Sequence, residues 1–84
     1  MYKVEWSEKA EKSLEKLDKA RVRKIRDRVE TILAKNPYEE GKPLKGDLKG
    51  QWRYRFSEYR VIYKIFQTRL IIEIVEVGHR RKIY

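Results

Sequence analysis

Between Gln51 and Val77 the chain passes through three strand-like segments with almost nothing between them, and that spacing constrains the fold more than any other feature. Gln51–Ser57, Tyr59–Gln67 and Leu70–Val77 are rich in Tyr, Phe, Ile and Val, and one or two residues separate each from the next. Links this short leave no room for a crossover, so neighbouring strands pair antiparallel as a meander. Alternation sends Trp52, Tyr54 and Phe56 to one face and Arg53 with Arg55 to the other. Leu70–Val77 is the most apolar run and suits a position inside the sheet, covered on at least one face.

The cover lies upstream. Tyr2, Val4 and Trp6 alternate with Lys3 and Glu5 as a short half-buried strand, and Ser7 then stands where a helix N-cap belongs, with Glu8 in the first turn to complement the dipole. A helix from about Glu8 to Leu17 follows, with Ala10, Leu14 and Leu17 on one stripe. Asp18 is placed to cap a second helix, about Lys19 to Lys35, whose Val22, Ile25, Val29, Ile32 and Leu33 face inward while Arg21, Arg23, Lys24, Arg26 and Arg28 are solvated. Asn36-Pro37 ends it, because proline disfavours helical geometry in the residue before it. A loop to about Gly50 follows, punctuated by Gly41, Pro43, Gly46 and Gly50, with Leu44 and Leu48 expected to pin it to the core. The expectation is an α+β protein: an N-terminal strand, a helical hairpin and a three-stranded antiparallel meander, forming one antiparallel sheet packed against two helices, with residues 1–84 as a single domain.

A chain of 84 residues buries only roughly 60 to 65% of its unfolded surface, so the core is thin. Hydrophobic residues at 40% still argue for a folded protein despite 42% charged residues. With 22 Lys and Arg against 13 Asp and Glu, the net charge of +9 favours polyanions or acidic protein surfaces as partners. Cysteine is absent and histidine occurs once, which leaves no thiol chemistry and few ligands for a transition metal; no metal and no cofactor are expected. No apolar stretch of about 20 residues is available to span a membrane, and the polar start at Tyr2–Ser7 does not resemble a signal-peptide core, so the expected compartment is the cytoplasm.

Two guanidiniums on one strand face, Arg53 and Arg55, with more arginines nearby in sequence, make a seat for phosphate. The tail Gly78-His79-Arg80-Arg81-Lys82-Ile83-Tyr84 adds further cations and two side chains that move protons or bond a phosphate. This points to RNA rather than a small neutral ligand. Each assignment has a plainer rival. Arg53 and Arg55 also fit a solvated strand face paired with Glu73 or Glu76, Arg60 a brace for a neighbouring strand, and His79 a turn residue. The basic residues from Arg21 to Arg28 fit either a solvated face or a second surface that docks on RNA.

The order strand, two helices, three strands, together with Asn36-Pro37, Leu44-Lys45-Gly46, Tyr54-Arg55, Tyr59-Arg60-Val61-Ile62-Tyr63 and Gly78-His79-Arg80 through Tyr84, resembles the RelE/ParE toxin superfamily across nearly the whole chain. The resemblance is to the RelE branch, toxins of type II toxin–antitoxin systems that cleave messenger RNA in the ribosomal A site. It implies a RelE-like fold and a metal-independent endoribonuclease in which the ribose 2′-hydroxyl attacks the adjacent phosphate. It also implies two partners: an acidic RelB-like antitoxin, and the 70S ribosome with mRNA in the A site and its ribosomal RNA. The basic positions two apart on the strand after the glycine loop are Arg53 and Arg55, the arginine of the Tyr-Arg strand is Arg60, the arginine after the last strand is Arg80, and the C-terminal tyrosine is Tyr84. Arg81 and Lys82 extend the RNA-binding set. The founding toxin has lysines where Arg53 and Arg55 stand; arginine does not give up its proton, so proton transfer falls to His79, whose residue type titrates near neutrality, or to Tyr84. The ParE branch, which acts on DNA gyrase, is the alternative on the same fold, and a non-catalytic basic domain that binds RNA or antitoxin is the third reading.

Overall fold

The computed structural model describes residues 1–79. Strand β1 (Lys3–Trp6) half-buries Val4 and Trp6 and exposes Lys3 and Glu5, as their alternation requires. Ser7 ends it and caps helix α1 (Glu8–Glu15), accepting a hydrogen bond on Oγ from the Ala10 N–H at 3.0 Å. Ala10 and Leu14 are buried on its inner stripe. The helix stops at Glu15, short of Leu17, because Asp18 already begins the next one by accepting the Arg21 N–H at 2.9 Å.

Helix α2 (Lys19–Arg28) does not run unbroken to Lys35. Its last turn, Val29–Leu33, widens to a π-turn closed by a bond from the Ala34 N–H to the Val29 carbonyl at 2.9 Å. The extra residue in that turn lets Val29, Leu33 and Ala34 all point into the core, where each is at most 1% exposed. Arg26 and Arg28 are not purely solvated either. The Arg26 guanidinium lies 4.8 Å from the Trp6 ring centre and contacts Glu11 through both terminal nitrogens, at 2.7 and 3.4 Å, while Arg28 covers the Phe56 ring at 5.1 Å.

The segment expected as loop carries more order than its glycines and prolines suggested. It contains a single helical turn, α3 (Pro37–Glu40), a two-residue edge strand, β2 (Lys42–Pro43), and a 3-10 turn over Gly46–Leu48. Leu44 is half-buried, but Leu48 is 44% exposed and pins nothing. Strands β3 (Trp52–Phe56), β4 (Tyr59–Phe66) and β5 (Ile71–His79) form the expected meander.

The sheet order is β1-β5-β4-β3-β2. The α+β architecture is the one read from sequence, with one correction: β1 runs parallel to β5, so the sheet is mixed rather than wholly antiparallel. A strand that feeds a helical hairpin is free to join the far edge of the meander in either direction, and the short-link argument that fixes the meander does not reach it. Both helices cover one face, where Ala10, Leu14, Ile25, Val29 and Leu33 meet Tyr54, Phe56, Val61, Tyr63, Ile72, Ile74 and Val77 in one cluster. Among the described residues neither helix covers the opposite face, and Arg53, Arg55 and Arg60 stand on that side.

Candidate functional site

Strands β3 and β4 are joined by the tight turn Ser57-Glu58, in which Ser57 adopts a left-handed φ of 51°. The resulting register places Arg55 directly opposite Arg60, and Arg53 directly opposite Ile62. On the other side of β3, Lys42 pairs with Arg53. Residues directly opposite each other share a face, so Arg53, Arg55 and Arg60 converge on the side away from the helices. Arg55 is exposed and Arg53 half-buried, whereas Arg60 is buried at 3% exposure. Ile62, between them, is 5% exposed yet lies outside the helix-side core cluster. Gly78 of β5 stands directly opposite Arg60, and Glu76 of the same strand stands opposite Ile62.

Close packing behind the site holds β3 in place. Tyr63, paired with Trp52 across the strands, donates its hydroxyl to the Pro37 carbonyl at 2.6 Å. Burial, and after it the charges of Glu40 and Tyr54, hold the Tyr63 phenol well above the usual tyrosine range. It is therefore a fixed donor and not a proton carrier. Gly41 lies flat against this pair: a Cβ there would collide with the Tyr63 phenol and come within 2.8 Å of the Arg53 carbonyl oxygen. The requirement for glycine is one of space, since its φ of −110° is open to any residue.

His79 goes elsewhere. It pairs with Tyr59, shares the helix-side face with it, and has Nε2 3.4 Å from Glu58 Oε2. With Tyr59, Ser13, Lys16, Leu17 and Arg21 it lines a cleft of about 410 Å³ between the end of the sheet and the helical hairpin. The structure thus brings Arg53, Arg55 and Arg60 together and sets His79 on the other side of the sheet. Arg80, Arg81, Lys82 and Tyr84 lie outside the described residues. Of the carboxylates that the sequence offered to Arg53 and Arg55, Glu73 stands opposite Lys64 and Glu5, whereas Glu76 stands opposite Ile62, which in turn faces Arg53, and meets Lys9 at 3.3 Å. Lys42, Gly78 and Glu58 were missed as neighbours of the site; only the register reveals them. Among the described residues, no three His, Asp or Glu side chains gather to hold a metal ion, and no helix is long and apolar enough to cross a membrane.

A family model described as the ParE toxin of type II toxin–antitoxin systems, parDE, matches residues 4–84. The chain belongs to the RelE/ParE toxin superfamily. It is similar to Toxin RelG of Mycobacterium tuberculosis, with 30% identity over 83 residues that cover 99% of this chain and 95% of the relative. Toxin RelE of the same organism is 38% identical over 52 residues, covering 62% of this chain and 54% of that toxin, so this match spans about half of the relative's length. Among solved structures, the RelBE2 toxin–antitoxin complex of M. tuberculosis superposes with a TM-score of 0.90 at 29% identity, over 94% of this chain and 98% of that one. The intact Escherichia coli RelBE complex gives a TM-score of 0.76 at 18% identity, covering 94% and 96%, which is a likeness of fold.

Proposed function

We propose that this type II toxin is a ribosome-dependent, metal-independent endoribonuclease acting in the cytoplasm on messenger RNA in the ribosomal A site. The observation that carries the reading is the convergence of Arg53, Arg55 and Arg60 on the sheet face away from α1 and α2, with Arg55 directly across from Arg60. Like charges directly opposite each other repel. A phosphodiester laid between them relieves that repulsion, and more so as charge builds on the phosphorane. In the reaction the 2′-oxygen bonds to phosphorus, the bond to the 5′-oxygen breaks, and a 2′,3′-cyclic phosphate and a 5′-hydroxyl result. One group takes the proton from the 2′-hydroxyl and another gives a proton to the leaving 5′-oxygen. The arginines hold the phosphate and keep their protons. Proton transfer is assigned to Tyr84 or His79, with Arg80, Arg81 and Lys82 extending the RNA contacts. The place of His79 beside Tyr59 and Glu58 favours Tyr84. An acidic RelB-like antitoxin that covers the cationic face is the proposed silencing partner.

The test is primer extension on a translated message in a reconstituted ribosome system. The toxin is expected to cut at A-site codons only during translation, and Arg55→Ala to lower the rate at saturating ribosomes by about a hundredfold. Because the matching family model is the ParE toxin, gyrase inhibition is the second reading. Absence of cuts together with inhibited supercoiling by purified gyrase would establish it in place of the first.

A further inference from the structure

We infer that Ser7 is a positioning residue for the arginine site, acting through a β-bulge at Val75. The inference rests on the nuclease reading only for its activity readout. From Ile71 to Ile74, β5 pairs in regular register with Phe66 to Tyr63, but Glu76 pairs with Ile62, so Val75 is an extra residue without a partner on β4. Had the first register continued, Glu76 would stand opposite Val61, which is 0% exposed, and Val77 opposite Arg60. The bulge reverses the phase. Val77 enters the core at 5% exposure, Glu76 leaves it, and Gly78 arrives opposite Arg60. The same step sends His79 to the side of Tyr59.

A bulge breaks the ladder locally and leaves polar backbone groups to be satisfied by other means. Three consecutive residues here are held from the β1–α1 junction. The Ser7 N–H donates to the Ile74 carbonyl at 3.0 Å, the Ser7 hydroxyl donates to the Val75 carbonyl at 2.9 Å, and Lys9 Nζ meets the Glu76 carboxylate at 3.3 Å. The lysine contact is exposed and weak. The hydroxyl bond links residues 68 apart in sequence and reaches the bulge itself. Ser7 thus has two duties for one side chain, capping α1 as an acceptor and pinning Val75 as a donor.

The two duties separate by substitution. Ser7→Asp keeps a strong capping acceptor and removes the donor, Ser7→Gly keeps a tolerated cap and removes the donor, and Ser7→Thr keeps both. In the purified toxin, NMR reads the Arg60–Gly78 and Tyr59–His79 cross-strand contacts and the amide exchange of β5. Cleavage on programmed ribosomes reads kcat and KM. The expected result for Ser7→Asp is exchange about tenfold faster at Val77–His79 than in wild type with Ile71–Glu73 unchanged, weakened Arg60–Gly78 contacts, and kcat down about tenfold with KM within about twofold; Ser7→Thr restores all of them. Ser7→Gly serves in the same way if the aspartate variant does not fold. Unaltered contacts and exchange in the donor-less variants, or an equal loss in Ser7→Thr, overturn the inference. If the wild type makes no cuts, the nuclease reading fails by itself, and the NMR pairing still decides the role of Ser7.

Discussion

Arg55 and Arg60 face each other across β3 and β4, and in the free protein that juxtaposition works against stability. Arg55 is exposed, so its removal opens no cavity, whereas Arg60 is buried and cannot be removed as cleanly. Arg55→Ala is therefore expected to leave thermal stability unchanged or to raise it by a few tenths of a kcal/mol, while cleavage falls; calorimetry on the free toxin checks the first half. The opposite holds for Tyr63, whose buried hydroxyl is the partner of the Pro37 carbonyl. Tyr63→Phe leaves that carbonyl unsatisfied and should cost about 1–3 kcal/mol in urea unfolding at neutral pH. The folded state holds the Tyr63 proton more tightly than the unfolded chain does. Its contribution is thus intact below a pH of about 10, the ordinary tyrosine value, and is lost as pH rises beyond it. Wild-type stability should decline above that pH, and the decline should be shallower in Tyr63→Phe. At this scale the sequence was legible wherever a residue's alternation decided its face, as for Tyr54, Arg55 and Phe56. It was silent on Gly41, whose need for a bare Cα arises from a phenol and a carbonyl brought in from other strands.

Among the elements, the meander and the helical hairpin followed from link lengths and periodicity, both of which are local. What escaped was set by contacts between elements. The π-turn at Val29–Leu33 exists because Ala34 must also reach the core, and the parallel pairing of β1 depends on where the hairpin returns the chain. The bulge did leave a trace, since the buried positions Ile72, Ile74 and Val77 are spaced by two and then by three. Read only as an aliphatic run, that change of phase passes unnoticed, and with it goes the fact that His79 and the arginines are parted. Arg26 is the other case: periodicity gives it to solvent, yet its contacts join α1, α2 and β1 through Glu11 and Trp6. Both partners of the ion pair keep more than a third of their side-chain surface in water, which limits its worth. Together with the stacking on Trp6, Arg26→Ala is expected to cost about 1 kcal/mol. Arg26→Lys should recover little of it, because an ammonium neither stacks nor forks. A double-mutant cycle with Glu11→Ala, followed by urea unfolding, apportions the two contacts.

The whole molecule carries a net charge of +9, and its basic residues occupy opposite sides of the sheet. Arg53, Arg55 and Arg60 lie on the face away from the helices, whereas Arg21, Arg23 and Lys24 stand exposed on α2, which packs on the other. A single strand of RNA seated at the arginine site does not also run along α2, so the two surfaces should have separable effects. If α2 meets ribosomal RNA, its cations contribute through counterion release, which lowers the ribosome concentration needed and makes it salt-dependent without touching the reacting phosphate. The triple variant Arg21→Glu, Arg23→Glu, Lys24→Glu should then raise the half-saturating ribosome concentration roughly tenfold or more at low salt and flatten its dependence on salt concentration. Its cleavage rate at saturation should stay within about twofold of wild type, whereas Arg55→Ala should lose rate at saturation and keep most of the salt dependence. Cleavage titrations at several salt concentrations distinguish the two patterns. An unchanged half-saturation point in the α2 variant would mean that these charges only solvate the helix, leaving the sheet face as the sole RNA-binding surface.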